Sequence, residues 1–409
     1  MKFSEYRILP QIKQNLEAMR LIRPTDIQFK SITPILQGED LLAIAQTGTG
    51  KTAAFAIPAI HLMSAPRKKH QGEGPRCLVL EPTRELAIQV GQVFESIAKK
   101  TKVKILPLIG GVEQDPQIAR LSKGIDILIA TPGRMFDLAS QGHLDLSGIE
   151  LFILDEADHM LDLGFLHDIS DLHRRLPKNR QTLFFSATIS PRIKKIAYDL
   201  VRGTAIRIQI SPKNPVAKNV SHAVTPVEMD HKRFFLARLV EENSDIKILV
   251  FVRTKVRAER VCEALKRVGL ESVVIHGDKE QSERLSAMAA FRSGENRVLI
   301  ATDVSARGID IPAVDYVVNY DLPDVPENYV HRVGRTGRGD RKGKALSFCA
   351  PEEKPLLEAI ETFLGQPIEM IPIGRFEYEE TLNLHDDRPN KWKAIEDEIE
   401  KAEKFRKKK

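Results

Sequence analysis

A repeat constrains this chain more than any other feature. "LVLEPTRELA" (78–87), "ILPLIGG" (105–111) and "DILIATPGR" (126–134) follow one another in the first half. The second half answers with "ILVFVRTKVRAE" (248–259), "VVIHGD" (273–278) and "RVLIATDVSARG" (297–308). "LIAT" recurs letter for letter, and Thr83 to Thr131 is the same 48-residue step as Thr254 to Thr302. Strand-like apolar runs alternate with helical patterns, as in a parallel sheet with crossover helices. Repetition of the plan predicts two related α/β domains, which a chain of 409 residues has room for. "SPKNPVAKN" (211–219) carries two prolines and no apolar periodicity, and reads as the linker. The expected layout is a first domain over 1–210, a second over 220–372, and a basic, partly helical tail over 373–409.

Several function classes drop out early. No apolar stretch approaches membrane-spanning length, and "MKFSEYRILPQIKQ" lacks the apolar core of a signal peptide. Cys77, Cys262 and Cys349 are isolated and lack metal-ligand spacing, so a reduced, cytoplasmic protein with no membrane partner is expected. A net charge of +6 permits a polyanionic partner without requiring one.

Only the first copy carries a phosphate-binding loop. "DLLAIAQTGTGKTAAFAIPAI" reads as strand, Gly-rich turn and helix. Its turn, Ala45, Gln46, Thr47, Gly48, Thr49, Gly50, Lys51 and Thr52, nearly matches the Walker A pattern, with Ala45 in place of the first glycine. Gly48 and Gly50 let backbone N–H groups close on phosphates at the helix N-terminus. Lys51 is assigned to the β/γ-phosphates of ATP and the Thr52 hydroxyl to Mg²⁺.

"LFILDEADHML" (151–161) supplies the second half of that chemistry. A buried strand tip is a poor place for carboxylates unless a cation or a proton-transfer task keeps them there. Asp155 stands where a carboxylate facing Mg²⁺ is needed. Glu156 is placed to orient and deprotonate the attacking water. Asp158 is expected to hold neighbouring segments rather than touch ATP.

With these residues in hand, the chain resembles a DEAD-box ATP-dependent RNA helicase. Asp155-Glu156-Ala157-Asp158 is accompanied by "AQTGTGKT", "PTRELA", Gly110-Gly111, "TPGR" (131–134), "SAT" (186–188), "ATDVSARGID" (301–310) and "HRVGRTGR" (331–338). The resemblance covers residues 1–372 and implies two tandem RecA-like domains, each a mostly parallel sheet flanked by helices. It implies RNA-stimulated ATP hydrolysis, with ATP and Mg²⁺ as cofactors, coupled to domain closure and to local duplex unwinding or remodelling of ribonucleoprotein. A monomer is expected.

Carried over residue by residue, the resemblance assigns adenine recognition to Gln28 of "RPTDIQ", helped by Arg23, with Phe3 stacked on the base. Arg20 stands where the family usually has Gly and Asp26 where Pro is common, which puts the local turn shape in question. Arg335 and Arg338 are implied as arginine fingers for the γ-phosphate, and Gly308 and Asp310 as nucleotide contacts, Asp310 at the ribose. Ser186, Thr188 and His331 are implied to couple hydrolysis to strand separation. The RNA surface is implied on Pro82, Thr83, Arg84, Gly110, Gly111, Thr131, Gly133 and Arg134 of the first domain. In the second it is implied on Thr254, Gly277, Gln281, Arg284, Thr302 and Asp303. Hydroxyls, glycines and helix N-termini suit backbone reading, and scarce aromatics argue against base stacking, so sequence-independent binding follows.

Beyond Ile373, "NKWKAIEDEIEKAEKFRKKK" places Trp392, Ile395, Ile399, Ala402 and Phe405 on one helical stripe. A helix docked on the second domain and an RNA tether through Arg406, Lys407, Lys408 and Lys409 both stay open. So do two rivals to a helicase: an ATP-dependent RNA clamp and a P-loop DNA translocase.

Overall fold

The structure, a computed structural model, describes residues 1–409 except 47, 67–73, 211–215, 217–218, 304–313, 338–340 and 385–409. Seven parallel strands build the first domain: β1 (Leu41–Ala45), β2 (Cys77–Leu80), β3 (Ile105–Leu108), β4 (Ile127–Ala130), β5 (Leu151–Leu154), β6 (Gln181–Ser186) and β7 (Ile206–Ile210). Their order across the sheet is β3-β4-β2-β5-β6-β1-β7. The second domain has β8 (Val220–Pro226), β9 (Ile248–Val252), β10 (Val273–Ile275), β11 (Val298–Thr302), β12 (Tyr316–Asn319), β13 (Gly343–Cys349) and β14 (Glu369–Met370). Its order, β10-β11-β9-β12-β13-β8-β14, is the first advanced by seven at every position, and again all parallel. The three repeated sequence segments are β2, β3 and β4 in one sheet and β9, β10 and β11 in the other. The expected α/β class with two mostly parallel sheets is what the chain forms.

The central strands, such as β2, β4, β5 and β9, are apolar and buried along their length because both faces of the sheet are covered, whereas the edge strands β7 and β14 are largely exposed. Along β2, β4 and β5 the side chains alternate between two cores. Val79, Ile129 and Ile153 pack on one side of the first sheet, while Leu78, Leu128 and Phe152 pack on the other. Each such side chain stabilises the sheet by about 1.5–3 kcal/mol, so an "LFIL" run is held in place strongly enough to carry acids at its tip.

Because the strands are parallel, their C-terminal ends share one edge, and the helices that follow begin there. Lys51–Met63 follows β1, Arg84–Ile97 follows β2, Pro132–Ser140 follows β4, Ala157–Asp162 follows β5 and Pro191–Leu200 follows β6. The motifs that follow strands of the first domain therefore lie along this edge, the place where open parallel sheets bind ligands.

Most of the expected linker lies outside the described residues. Asn219, at its end, donates to the carbonyls of Gly337 and Arg341 within the second domain. Past residue 372 the chain continues as a helix, Arg375–Leu384, docked on the helix Lys232–Glu242. The Tyr378 hydroxyl accepts from Glu228 N at 3.1 Å and meets His231 Nδ1 at 3.0 Å, and Arg238 donates to Thr381 Oγ1 at 2.7 Å. The stripe from Trp392 to Phe405 and the basic cluster Arg406–Lys409 lie outside the described residues. Among the described residues no helix is long and apolar enough to cross a membrane.

Candidate active site

The phosphate loop closes on the helix Lys51–Met63. Gly50 caps it at φ 90°, and a Cβ there would stand 2.4 Å from Gln28 Nε2, so both conformation and space demand glycine. Gln28 is buried and donates from Nε2 to Gly50 O at 3.1 Å, while its Oε1 accepts from Thr25 N at 2.9 Å. Thr25 Oγ1 donates to Thr49 O at 2.8 Å, and Thr49 Oγ1 donates to Gln46 O at 2.7 Å. The segment expected to read adenine is thus tied directly to the loop expected to hold phosphate. Phe3 is buried, its ring 6.1 Å from that of Tyr6. Arg20 adopts φ 60°, the left-handed conformation that favours glycine.

Lys51, the first residue of the helix, is only 6% exposed, yet its Nζ has no hydrogen-bond partner in the protein. A buried ammonium without a partner is costly; an anion at this helix N-terminus supplies one. Asp155 lies at the tip of β5, 4% exposed, with Oδ1 accepting from Glu156 N at 2.9 Å. Burial first pushes its carboxyl up to about 6; Glu156 and Asp158 add to the rise, and Lys51 opposes it. Glu156 takes φ 45°, rare for a side chain other than glycine, and caps the helix Ala157–Asp162. Its carboxylate lies 3.6 Å from His159 Nδ1.

Asp158 is tied to the neighbouring strand instead. Its Oδ2 accepts from Thr188 N at 3.0 Å and from Thr188 Oγ1 at 3.2 Å, and Ser186 Oγ donates to Thr188 O at 2.8 Å. The tip of β5 is fastened to the tip of β6 through residues expected to couple rather than to catalyse.

On the neighbouring strands the structure brings three more motifs together. Thr83 caps the helix after β2, accepting from Leu86 N at 3.3 Å, and Pro82 is buried beside it. The Arg84 guanidinium lies over Gly110 and Gly111; a Cβ at Gly111 would meet it at 2.0 Å. Thr131 caps the helix after β4, and Arg134 donates to Val112 O at 2.9 Å. A Cβ added at Gly133 would meet open space. Two helix N-termini and two arginines thus stand side by side.

In the second domain Thr254 caps the helix Lys255–Arg267, accepting from Arg257 N at 3.1 Å. Gly277 follows β10 near Lys255, Gln281 and Arg284 lie in the first turn of the helix Gln281–Ser293, and Thr302 ends β11. Arg335 is buried just past the helix Pro326–Val333, which carries His331. Thr47, Gly308, Asp310 and Arg338 lie outside the described residues.

Comparison with known proteins decides the family. Residues 25–196 match the DEAD/DEAH box helicase model, and residues 231–340 match the helicase conserved C-terminal domain. The chain is 40% identical over 359 residues to the DEAD-box ATP-dependent RNA helicase CshA of Bacillus cereus, spanning 88% of this chain and 67% of that one. The chain belongs to the DEAD/DEAH-box helicase family. It is also 40% identical over 392 residues to the ATP-dependent RNA helicase RhlB of Shewanella woodyi, covering 95% of this chain and 87% of the relative. Among solved structures, S. cerevisiae Dbp5 bound to RNA and ADP BeF3 superposes with a TM-score of 0.82 at 32% identity, over 94% of this chain and 98% of that one.

Three charged residues of this family member were missed by sequence reasoning. Glu81, at the tip of β2, is fully buried and neither carboxylate oxygen has a partner. Burial, then Asp155 and Glu156, holds its carboxyl well above the usual carboxylate range, while Lys51 opposes them. Its signal was available: "CLVLE" is built like "LFILD", four strand residues and an acid. Arg332, inside the arginine-rich run, is 1% exposed and grips Asp303 through Nε at 2.5 Å and Nη2 at 2.7 Å. The Asp303 carboxylate, assigned to RNA from sequence, is thereby committed to an internal ion pair. Lys232 is fully buried, donating to Tyr320 O at 2.7 Å and to Glu353.

Proposed function

We propose that the protein is an ATP-dependent RNA helicase whose RNA-stimulated hydrolysis of ATP is coupled to closure of its two domains on an RNA backbone. The observation that carries this reading is the buried, unpartnered ammonium of Lys51 at the start of a helix, with the acids Asp155 and Glu81 as its charged neighbours and Glu156 next to Asp155. That set suits a triphosphate and a divalent cation, and Asp155 and Thr52 are the residues that would hold Mg²⁺. Mg²⁺, when bound, supplies charge that offsets the phosphates. Lys51 binds the β/γ-phosphates, while Glu156 orients a water and takes its proton. Gln28 senses both adenine and the loop through its tie to Gly50, while Phe3, expected to stack on the base, is buried in the core beside Tyr6.

RNA lies across the N-termini capped by Thr83 and Thr131 and the glycines beneath Arg84, with Thr254 and Thr302 as counterparts in the second domain. Such groups read phosphate and sugar, hence sequence-independent binding, with 2′-OH contacts favouring RNA over DNA. Arg335 and Arg338 complete the charge complement at the γ-phosphate only on closure. Steady-state ATP hydrolysis with no nucleic acid, single-stranded RNA or single-stranded DNA, followed by unwinding of a short duplex, tests the reading. RNA alone should stimulate, and the duplex should open. Stimulation by DNA would favour a translocase; ATPase without unwinding would favour a clamp.

A further inference from the structure

β2 and β5 are neighbours in register, Leu80 beside Leu154, so the next residue of each strand, Glu81 and Asp155, emerges at the same level of the same edge. Glu81 is fully buried, and both of its carboxylate oxygens lack a protein partner. A carboxylate so placed costs free energy unless a partner arrives from outside the chain. The charges that act on it are Asp155, Glu156 and Lys51, the groups of the ATP site. Were all three acids ionised, they would outweigh the one ammonium by formally two negative charges, the deficit a divalent cation fills. Yet the described His, Cys, Asp and Glu side chains form no group of three able to ligate a metal directly. Mg²⁺ keeps several of its waters when bound through one or two carboxylates and substrate phosphates.

We propose that Glu81 is a further positioning residue for the nucleotide-bound Mg²⁺, accepting hydrogen bonds from the cation's waters beside Asp155. The inference rests on the ATPase reading above and adds to it a residue from a different strand. Groups that orient a metal in this way change its affinity by about 10–100-fold when removed. Glu81 also imposes a cost when no cation is present, because its carboxyl is then buried without a hydrogen-bond partner and its ionisation is opposed by Asp155 and Glu156. Its replacement should therefore act in opposite directions on the two states.

The test titrates free Mg²⁺ against the full-length protein and reads the affinity of a fluorescent non-hydrolysable ATP analogue, beside metal-free thermal melts. For Glu81→Gln and Glu81→Ala the Mg²⁺ midpoint should rise by about 10-fold or more. Analogue affinity without Mg²⁺ should be unchanged or tighter, and both variants should melt higher than wild type. A purely structural role would move the melt and leave the midpoint in place, which would overturn the proposal. So would a wild-type midpoint in Glu81→Gln with a shift only in Glu81→Ala, the pattern of a neutral acid donating to Asp155. If wild-type protein binds the analogue with no Mg²⁺ dependence, the ATPase reading itself fails, and the two failures are told apart.

Discussion

Lys51 and Lys232 occupy the same place in the two repeats: each is the first residue of the helix that follows the first strand, β1 or β8. Both are buried, at 6% and 0% exposure. Lys232 is closed off by the chain itself, bonded to Tyr320 O and Glu353, with Asp321 at 3.8 Å. Lys51 has carboxylates as electrostatic neighbours and no hydrogen bond. One sheet plan, used twice, thus yields a finished ion network and an unfinished one. The unfinished network is where a ligand's charge contributes most. Glu353 explains much of the contrast, since it also accepts from Arg253 Nη2 at 3.2 Å and from the N–H groups of Leu322 and Ala350 at 3.2 and 3.0 Å. The first domain has a glycine-rich turn where the second has a lysine satisfied by distant residues.

If the second repeat reaches the nucleotide through arginine instead of its helix lysine, Arg335→Ala should have the largest effect. Loss of the RNA-stimulated rate by about 10³–10⁵-fold is expected. ATP affinity without RNA should hold, and the mutual strengthening of ATP and RNA binding should vanish. RNA affinity with and without a non-hydrolysable analogue checks this; an unchanged ratio in the variant would remove the fingers from the account.

Exchanging the two lysines for alanine should separate stability from activity. Lys232→Ala strands buried Glu353 and Asp321 and should cost about 3–5 kcal/mol in denaturant unfolding. Lys51→Ala should cost no stability, yet lower turnover by at least about 100-fold. Equal loss of stability in the two variants would erase the distinction between them.

The first domain's surplus of acid also predicts a pH dependence. Asp155 has a folded pKa of about 6, above its ordinary value. Its contribution to stability is therefore full below the ordinary carboxylate range and is lost as pH rises through about 6. Metal-free wild type should lose stability relative to Asp155→Asn between about pH 5 and about pH 7. Parallel denaturation curves at those two pH values would contradict the sign.

Gln28→Ala should have the smallest effect, removing the tie to Gly50 and the adenine contact. About 10-fold weaker binding of adenosine nucleotides is expected, with guanosine nucleotides little changed. Competition titrations with both nucleotides decide it.

How far the molecule was legible follows from where each residue's partners lie. The repeat was readable because apolar runs and their spacing are local, and the equal strand orders follow from it. The phosphate loop and the "DEAD" acids were readable because their chemistry is compressed into a few residues. Asp158 as a fastener to Thr188 was legible from its neighbours' motifs. Lys232 and Glu353 were not, being 121 residues apart and without a pattern. Arg332 was lost in a basic run that reads as solvated loop or as fingers, and only the fold turns it inward to Asp303. Glu81 was not legible because it runs directly into "PTREL" with no pattern of its own, although its strand ends as β5 does.

Nucleotide stoichiometry tests the contrast between the repeats most directly. Calorimetric titration of the full-length chain with a non-hydrolysable ATP analogue and Mg²⁺ should give one site per chain, lost or severely weakened in Lys51→Ala. A second site, or a site that keeps its affinity when Lys51 is removed, would contradict the assignment of the open lysine to phosphate.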